Sequence, residues 1–419
     1  MLAFIAILLT ADHVCGADWL TSGLTLQPWL VKTRRDLHKI PELGFAEHKT
    51  SQYLQDVLTS LNITYSTGHA TTGIVATIGS GLPMILLRAD IDALPIQEPE
   101  GFEARSQHSG VMHACGHDAH MAMLLGAARL LQEEHKRASL RGTVKLVFQP
   151  YEEGGAGADV ILNTGVLDGV EAAFGIHVWP ALPSGVLATR AGAIMAGALS
   201  FEITVKGRGG HAAMPHQNID PIVAAAGMIS SMQTLVSRET SPLGSAVLSV
   251  TMMRAGDAFN VIPDTAMFAG TIRSLDHAAL LHNQRRVEEM AVAFAAGYGC
   301  NASVNWRLDE QPLYPPTVND PPTAAFTTRV AKKLLGEGHV VETEPSMGGE
   351  DFAFFCLKMP CTYAFLGIRN EDAGSVHALH SPRFTLDEGE LFKGAAMHTV
   401  WALEYLASRG IENVKRDEL

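Results

Sequence analysis

The clearest indication of the fold is the run Gly142-Thr-Val-Lys-Leu-Val-Phe-Gln-Pro-Tyr-Glu152-Glu153-Gly-Gly-Ala-Gly157. Its apolar, β-branched part, 144–148, predicts a buried strand, which two adjacent carboxylates and a glycine-rich turn follow. In open α/β sheets, ligands bind beyond the carboxyl ends of the strands. The run therefore predicts an α/β domain in which Glu152 and Glu153 share the tasks of metal binding and proton transfer. A solvated acidic turn is the alternative.

The segments around this run alternate between helical and extended patterns, as in an α/β domain with helices between parallel strands. Before residue 196 the pattern predicts helices at 29–40, 47–61 and 118–136 and strands at 73–78, 84–88 and 173–178. After residue 322 it predicts a helix at 323–335, a strand at 362–367 and a closing helix at 388–407.

The region between these two parts has a different order of elements. It predicts strands at 201–206, 246–254, 266–273 and 302–308 and helices at 221–238 and 278–297, with a proline-rich return linker at 312–322. The order βαββαβ is that of a ferredoxin-like unit. We therefore expect an α/β catalytic domain with a mixed or parallel sheet and flanking helices, built from 18–195 and 310–412. An α+β satellite, or lid, domain is inserted at 196–309.

Composition limits the classes of partner. The chain has 419 residues, 47% of them apolar, and a net charge of −13. This charge argues against binding to nucleic acid or to an anionic membrane surface. We find no internal stretch long enough for a transmembrane helix.

A second cluster of chemically active side chains is His113-Ala-Cys115-Gly-His117-Asp118-Ala-His120. Thiolate and imidazole are ligands for transition metals. Further candidates are acids after the 84–88 strand and histidines at two later points, namely Asp90, Asp92, His177 and His380. Each alone has an ordinary explanation, such as a buried thiol beside surface histidines or a histidine satisfied in the core.

Six motifs occur in a fixed order along the chain. They are Arg-Ala-Asp-x-Asp-Ala-Leu-Pro, Cys-Gly-His-Asp-x-His, Gln-Pro-x-Glu-Glu-Gly, Gly-x-His, Gly-Gly-Glu-Asp-Phe and His-Ser-Pro. Over about 30–407 the chain resembles the metal-dependent amidohydrolases of the aminoacylase/carboxypeptidase superfamily. Within this group it is most similar to plant indole-3-acetic acid (auxin)–amino acid hydrolases and bacterial hippurate hydrolases. One departure is Tyr151, where relatives often have alanine.

The resemblance implies a metal site and a general base. The metal ligands that it implies are Cys115, His117, Glu153, His177 and His380. Five ligands that include a shared thiolate can hold two divalent ions. A thiolate ligand favours zinc, whereas the auxin-conjugate relatives suggest manganese, and cobalt and nickel are further candidates. Glu152 is the implied general base. Asp118 and either Glu350 or Asp351 are expected to orient ligand histidines, and His120 is an alternative ligand.

The resemblance also assigns roles in the satellite domain. It places His211 where it stabilises the tetrahedral oxyanion when the domains close. Asn260 and Arg273 match positions suited to the free carboxylate of the substrate, because a guanidinium binds a carboxylate through two parallel hydrogen bonds. For Arg273 the alternative is a surface salt bridge.

The resulting prediction is an enzyme that hydrolyses the amide bond of small N-acyl-amino acids, such as auxin–amino acid conjugates. Alternatives within enzymes are a general, hippurate-type acyl-amino acid hydrolase and a dipeptidase or carboxypeptidase. Outside enzymes they are a conjugate-binding protein and a lumenal chaperone cofactor. The oligomeric state, monomer or homodimer, stays open.

The two ends of the chain predict its compartment. Residues 1–17 have the short apolar core and small residues of a signal peptide, although the basic beginning is missing. Residues 413–419 end in Arg-Asp-Glu-Leu, a variant of the signal read by the retrieval receptor of the endoplasmic reticulum. We therefore expect a lumenal protein of that organelle, in which Cys356 and Cys361 are close enough in sequence to pair.

Overall fold

The computed structural model describes residues 16–417 of the chain, and side chains within 18–409. The predicted signal peptide lies outside the described residues except for the backbone of 16–17. The side chains of the predicted retrieval tail also lie outside them. Within the described part, no helix is both long and apolar enough to cross a bilayer.

The larger part of the molecule is built on an eight-stranded mixed sheet with the strand order β1-β2-β4-β3-β5-β16-β6-β15. Its strands are β1 (Thr64–His69), β2 (Gly73–Ser80), β3 (Met84–Asp90), β4 (Gly142–Gln149), β5 (Ala172–Pro183), β6 (Leu187–Thr189), β15 (Val340–Glu342) and β16 (Cys361–Arg369). The four central strands, β4, β3, β5 and β16, are parallel to one another. They therefore end at the same edge of the sheet.

Helices cover both faces of this sheet. They are α1 (Gly16–Thr25), α2 (Gln27–His38), α3 (His48–Ser60), α4 (His117–Lys136), α5 (Gly157–Leu162), α8 (Pro321–Leu335), α9 (Ala353–Lys358) and α10 (Leu391–Asp417). The larger apolar core joins one face to α2, α3, α4, α8 and α10, and a smaller core joins the other face to α5 and α9. Helix α4 is buried nearly all round because it lies between the sheet and α10.

The inserted part is a four-stranded antiparallel sheet with the order β10-β12-β8-β13. Its elements are β8 (Gly197–Lys206), α6 (Pro221–Thr234), β10 (Val247–Ala255), β12 (Thr265–Ser274), α7 (His277–Gly297) and β13 (Asn301–Asn305). Burial along β8 alternates residue by residue, since one face packs on α6 and α7 and the other is left open. Aspartates cap α6, α7 and α8, namely Asp220, Asp276 and Asp320. The order of the four strands and the two helices on one face give the expected ferredoxin-like arrangement.

Short strands join the two parts. The chain enters the satellite through β7 (Gly192–Met195) and leaves it through β14 (Thr317–Asn319), and these two strands pair antiparallel. An isolated bridge between Ala198 and Tyr314 continues the pairing towards the satellite. A second short ribbon within the satellite pairs β9 (Gly210–His211) with β11 (Val261–Ile262).

The expected α/β fold with an inserted ferredoxin-like unit is confirmed. Of the two expected forms of the sheet, mixed or parallel, the structure has the mixed one, because β2 pairs antiparallel with β4 and β6 pairs antiparallel with β16. Among the elements that were not predicted are α1 and β1. Only two residues of β1 are even half-buried, so its side chains carry little of the apolar alternation by which a strand is recognised.

Candidate active site and metal centre

The five predicted metal ligands meet at one edge of the central sheet. Cys115 and His117 stand at the start of α4, in the connection that follows β3. Glu153 follows β4, His177 lies on β5 and His380 lies in the loop after β16. Because these four strands are parallel, their carboxyl-terminal ends and the loops after them face the same space.

The thiol of Cys115 and the ring of His177 are in direct contact. The Cys115 sulfur lies 3.4 Å from His177 Nε2. The other ring nitrogen of His177 is 2.6 Å from the carbonyl oxygen of Val178, to which it can donate. This bond leaves the lone pair of Nε2 directed at the thiol, as a metal ligand requires.

His117 is oriented in the same way by Asp92. Its Nδ1 lies 2.8 Å from the main-chain oxygen of Asp92 and 3.2 Å from the Asp92 carboxylate. The opposite nitrogen, Nε2, is buried without a hydrogen-bond partner and lies 4.0 Å from Glu153 Oε1. The other carboxylate oxygen of Asp92 accepts the main-chain N–H of Glu153 at 3.0 Å. A single aspartate therefore fixes two candidate ligands.

His380 completes the group from the far side. Its Nε2 lies 3.1 Å from Glu153 Oε1, and its main-chain N–H bonds the carbonyl oxygen of Ala114. The backbone of His380 is left-handed, with φ 63°. Non-glycine residues rarely adopt this conformation unless their surroundings impose it, and such residues cluster at functional sites.

The donor set fits two cations. Donor atoms of Cys115, His117 and His177 lie within 4.8 Å of one another, as do those of Cys115, Glu153 and His380. Both His117 Nε2 and Glu153 Oε1 are buried. Neither makes a hydrogen bond of normal geometry, even though His380 approaches Glu153 Oε1, and this is costly unless a ligand satisfies them. Burial, with the carboxylates of Glu153 and Glu152, raises the pKa of the Cys115 thiol well above its ordinary value. A thiolate here therefore requires positive charge beside it.

His120, the alternative ligand, has no free nitrogen. Its Nδ1 lies 2.6 Å from an oxygen of Asp90, and its Nε2 accepts the main-chain N–H of Val178 at 2.9 Å. The ring therefore connects β5 to the acid at the end of β3. Sequence alone does not reveal this, because the partner N–H belongs to another strand.

The residues that were expected to orient the ligands lie elsewhere. Asp118 bonds His38 and Arg34, on α2, rather than a ligand histidine. Glu350 and Asp351 were also expected to bond ligand histidines. Instead they form an ion-pair cluster with the buried guanidinium of a residue on β3, Arg88. Among the described side chains the orienting acid is Asp92, because its place two residues after β3 brings it under the start of α4.

Glu152 lies beside the metal ligands and faces a cavity. It is buried, and a carboxylate oxygen lies within 4.8 Å of donor atoms of His117 and Glu153 and, in a second group, of Glu350 and Asp351. Burial and then the repulsion of Glu350 and Glu153 raise the pKa of Glu152 well above its ordinary value. A raised pKa makes a carboxylate a stronger base.

The cavity has a volume of about 660 Å³ and lies between the central sheet and the satellite. Cys115, Glu152, Glu153, His177 and His380 line one side of it. Trp179, Met195 and Leu379 give an apolar wall, and the satellite sheet contributes Ser200, Thr271 and Arg273.

Arg273 projects into this cavity from β12. It lies at the carboxyl-terminal end of the strand, opposite Ala198 of β8. Burial lowers the pKa of Arg273, and the Glu152 carboxylate opposes that effect. Among the described side chains, no carboxylate lies within ion-pair distance of it, so the alternative of a surface salt bridge is wrong. A half-buried guanidinium without a partner suits an anionic ligand.

His211 and Asn260 lie outside the cavity. Both are exposed and belong to the β9–β11 ribbon, where the carbonyl oxygen of Asn260 accepts the N–H of Ala212 at 3.0 Å. The Nδ1 of His211 accepts the N–H of Ala213, which leaves Nε2 able to donate. In this arrangement neither side chain lines the cavity that holds the ligand cluster, and their roles stay predictions.

Comparison with known proteins agrees with this geometry. A model of peptidase family M20/M25/M40 matches residues 86–404. The chain belongs to this family. IAA-amino acid hydrolase ILR1-like 2 of Arabidopsis thaliana is 45% identical over 395 residues, which cover 93% of this chain and 89% of that protein. Thermostable carboxypeptidase 1 of Saccharolobus solfataricus is 40% identical, with 91% and 96% covered.

A solved structure from the M20 family shares the fold. It is a dinuclear metal-binding peptidase of Bacillus subtilis, 37% identical, with a TM-score of 0.78 over 92% of this chain and 99% of that one. The present chain is therefore an M20 hydrolase with a candidate dinuclear metal site. Membership of this family excludes the binding-protein and chaperone-cofactor alternatives.

Proposed function

We propose that this M20 hydrolase cleaves the amide bond of N-acyl-amino acids, and that auxin–amino acid conjugates are its substrates. The observation that supports this most directly is one cavity that combines a cluster of candidate metal ligands, a buried carboxylate and a guanidinium without a carboxylate partner among the described side chains. The substrate class offers a matching set, namely a scissile carbonyl, an amide nitrogen and a free carboxylate. The similarity to the Arabidopsis hydrolase supports the auxin conjugate among such substrates.

In this proposal Cys115, His117, Glu153, His177 and His380 hold two divalent cations. When bound, such ions polarise a carbonyl and lower the pKa of an attacking water. Cysteine and histidine favour zinc, whereas the likeness to the auxin-conjugate enzymes favours manganese. We propose manganese as the physiological ion.

Glu152 is the general base of the proposed reaction. It accepts the proton of the attacking water on its carboxylate and delivers that proton to the nitrogen of the leaving amino acid. Its neighbour Glu153 is committed to the cation cluster by its contact with His380. The two adjacent acids therefore have separate tasks.

Arg273 binds the substrate carboxylate in this proposal. The carboxylate is one carbon from the scissile nitrogen, so the amino-acid half lies against the satellite sheet beside Ser200 and Thr271. The acyl half then lies against the apolar wall, where Trp179 is stacked on Phe365 with ring centroids 4.1 Å apart. A rigid indole on the wall suits a flat aromatic acyl group.

A carboxypeptidase or dipeptidase activity is the second candidate, because a thermostable carboxypeptidase is 40% identical. Small peptides present the same carboxylate and amide, and dipeptides add a free ammonium near the carbonyl. Hydrolysis of the acetylated and free-amine forms of one dipeptide separates the two activities. Preference for the acetylated form supports the proposed function.

The decisive experiment is a panel of N-acyl-amino acids assayed on the apo-protein reloaded with one metal at a time. We expect turnover of indole-3-acetyl conjugates, highest with manganese. Failure of every acyl-amino acid with every metal, in a protein that binds the ions, refutes the proposed function.

We also propose that the protein resides in the lumen of the endoplasmic reticulum, where its retrieval receptor retains it. The support is the pair of terminal sequences and a disulfide between Cys356 and Cys361, since disulfides persist in oxidising compartments. Removal of 415–419 should lead to secretion of a tagged protein, and removal of 1–17 should leave it in the cytosol. A full-length chain found in the cytosol contradicts the proposal.

A further inference from the structure

Tyr314 is bonded to both parts of the molecule at once. Its main-chain N–H and C=O exchange two hydrogen bonds, of 3.0 and 2.9 Å, with Ala198 at the start of the satellite strand β8. Its hydroxyl reaches the opposite way and donates to the carbonyl oxygen of Glu152 at 2.6 Å. The same hydroxyl accepts the N–H of Ala156 at 3.0 Å.

The segment that the hydroxyl holds, 151–156, is a strained loop. Tyr151 and Ala156 have left-handed backbones, with φ 47° and 50°. Non-glycine residues avoid this region unless surrounding contacts impose it. Tyr314 bonds the loop at Glu152 and again at Ala156, and its ring is buried, with 7% of its surface exposed. The hydroxyl is therefore one of the contacts that set where the Glu152 backbone lies.

The main chain of Tyr314, in turn, is hydrogen-bonded to the satellite strand β8. It lies in the return segment, where its bridge to Ala198 extends the paired entry and exit strands. Arg273, on the neighbouring strand β12, pairs with Ala198 of β8 and projects into the cavity that Glu152 lines. A shift of the satellite strand therefore acts on Tyr314 directly, and through its hydroxyl on the Glu152 loop.

We propose that Tyr314 is a positioning residue that couples the position of the satellite domain to that of the Glu152 carboxylate. The inference rests on the proposed function, in which Glu152 is the base and Arg273 binds the substrate carboxylate. A substrate that engages Arg273 pulls on β12 and β8, and the Tyr314 hydroxyl transmits this displacement to the loop. Correct placement of the base then depends on a substrate group that takes no part in the bond changes.

The test is Tyr314→Phe, which removes both hydroxyl bonds and keeps the ring. We measure kcat and KM for an N-acyl-amino acid and for the matching amino-acid amide, which lacks the carboxylate. In the wild type, kcat itself should be higher for the acid. In the variant, kcat for the acid should fall about tenfold, the factor that corresponds to ~1.4 kcal/mol, and the acid-to-amide ratio of kcat should approach unity. The KM for the acid should change little.

Two controls separate this role from a merely structural one. The metal content of the variant should equal that of the wild type. The melting temperatures of both proteins are measured, and the assays are run well below the lower one. Tyr65→Phe, which removes a hydroxyl on β1 outside the cavity, is the matched control and should leave the ratio unchanged. An equal loss of kcat for acid and amide, or no loss, overturns the coupling. A wild type without turnover on either substrate refutes the proposed function instead.

Discussion

Replacement of Arg273 by alanine should abolish the discrimination between N-acyl-amino acids and their amides. The guanidinium is half-buried, projects into the cavity and has no carboxylate partner among the described side chains. It is therefore free to bind an anion without first breaking an ion pair. A carboxylate offers it a charge-assisted, two-point contact, whereas a neutral carboxamide offers a single acceptor.

The size of the effect follows from that contact. A hydrogen bond to a charged group contributes about 1.5–3 kcal/mol, which corresponds to roughly 10- to 150-fold in kcat/KM. We expect the wild type to prefer the acid over the amide by a factor in this range. Arg273→Ala should bring the ratio close to one, through a higher KM for the acid together with the lower kcat that loss of the coupling through Tyr314 implies. Arg273→Lys, which keeps the charge but loses the planar fork, should lie between them.

The assay is the ratio of kcat/KM for an acyl-amino acid and its amide, measured on the metal-loaded protein. Arg254→Ala is the matched control, because Arg254 is an exposed arginine of the same satellite sheet that does not line the cavity. A ratio that is the same in wild type and Arg273→Ala refutes the assignment of the carboxylate to this residue.

Four further predictions concern the site and its support. Glu152→Gln should retain the metals and lose about 10²-fold or more in kcat, and a smaller loss in a metal-replete variant contradicts the general-base role. Cys115→Ser should bind metal more weakly by equilibrium dialysis, and a chelator should inactivate the wild type reversibly. Arg88→Met should lower the free energy of unfolding by about 3–5 kcal/mol in denaturant titrations, because it leaves buried carboxylates without their cation. Burial lowers the pKa of His398 to about 3, whereas an unfolded histidine titrates near 6.5. As pH falls from about 6.5 towards about 3, the unfolded state therefore binds a proton that the folded state does not, and the free energy of unfolding decreases. The dependence of the melting temperature on pH should be shallower in His398→Leu, and an equal slope contradicts this reasoning.

The central strands could be predicted from their apolar runs, and the set of metal ligands from the resemblance to metal-dependent amidohydrolases. Glu153 follows an apolar run, and His177 lies within another. Once the strands are taken as parallel, their ends must meet, and the structure brings these side chains together. The parallel assumption fails only towards the sides of the sheet, where β2 and β6 pair antiparallel. The strand sequences do not encode that direction.

Other features depend on partners that are distant in sequence. Asp92 orients His117 because the connection after β3 passes under α4. In the sequence Asp92 is recognisable only as an acid that follows a strand, and nothing there assigns it a role. His120 Nε2 accepts a hydrogen bond from a main-chain N–H of β5. Only the three-dimensional structure reveals this bond, which argues against His120 as a metal ligand. Tyr314 has no motif, since its hydroxyl acts on main-chain atoms. His211 and Asn260 lie at the β9–β11 ribbon and do not line the cavity, which their sequence motifs do not reveal.

The paired entry and exit strands, β7 and β14, limit how the angle between the satellite and the central sheet can change. A domain joined by a single chain can rotate freely, but one that hangs from a two-stranded ribbon bends easily only across the plane of the ribbon. If the satellite bends about this ribbon as one body, the distance between Arg273 and the ligand cluster changes with a single angle. That distance has to match the separation between the carboxylate and the scissile carbonyl of the substrate. We therefore expect an α-amino acid conjugate and its longer β-amino acid counterpart to require two different angles between the satellite and the central sheet.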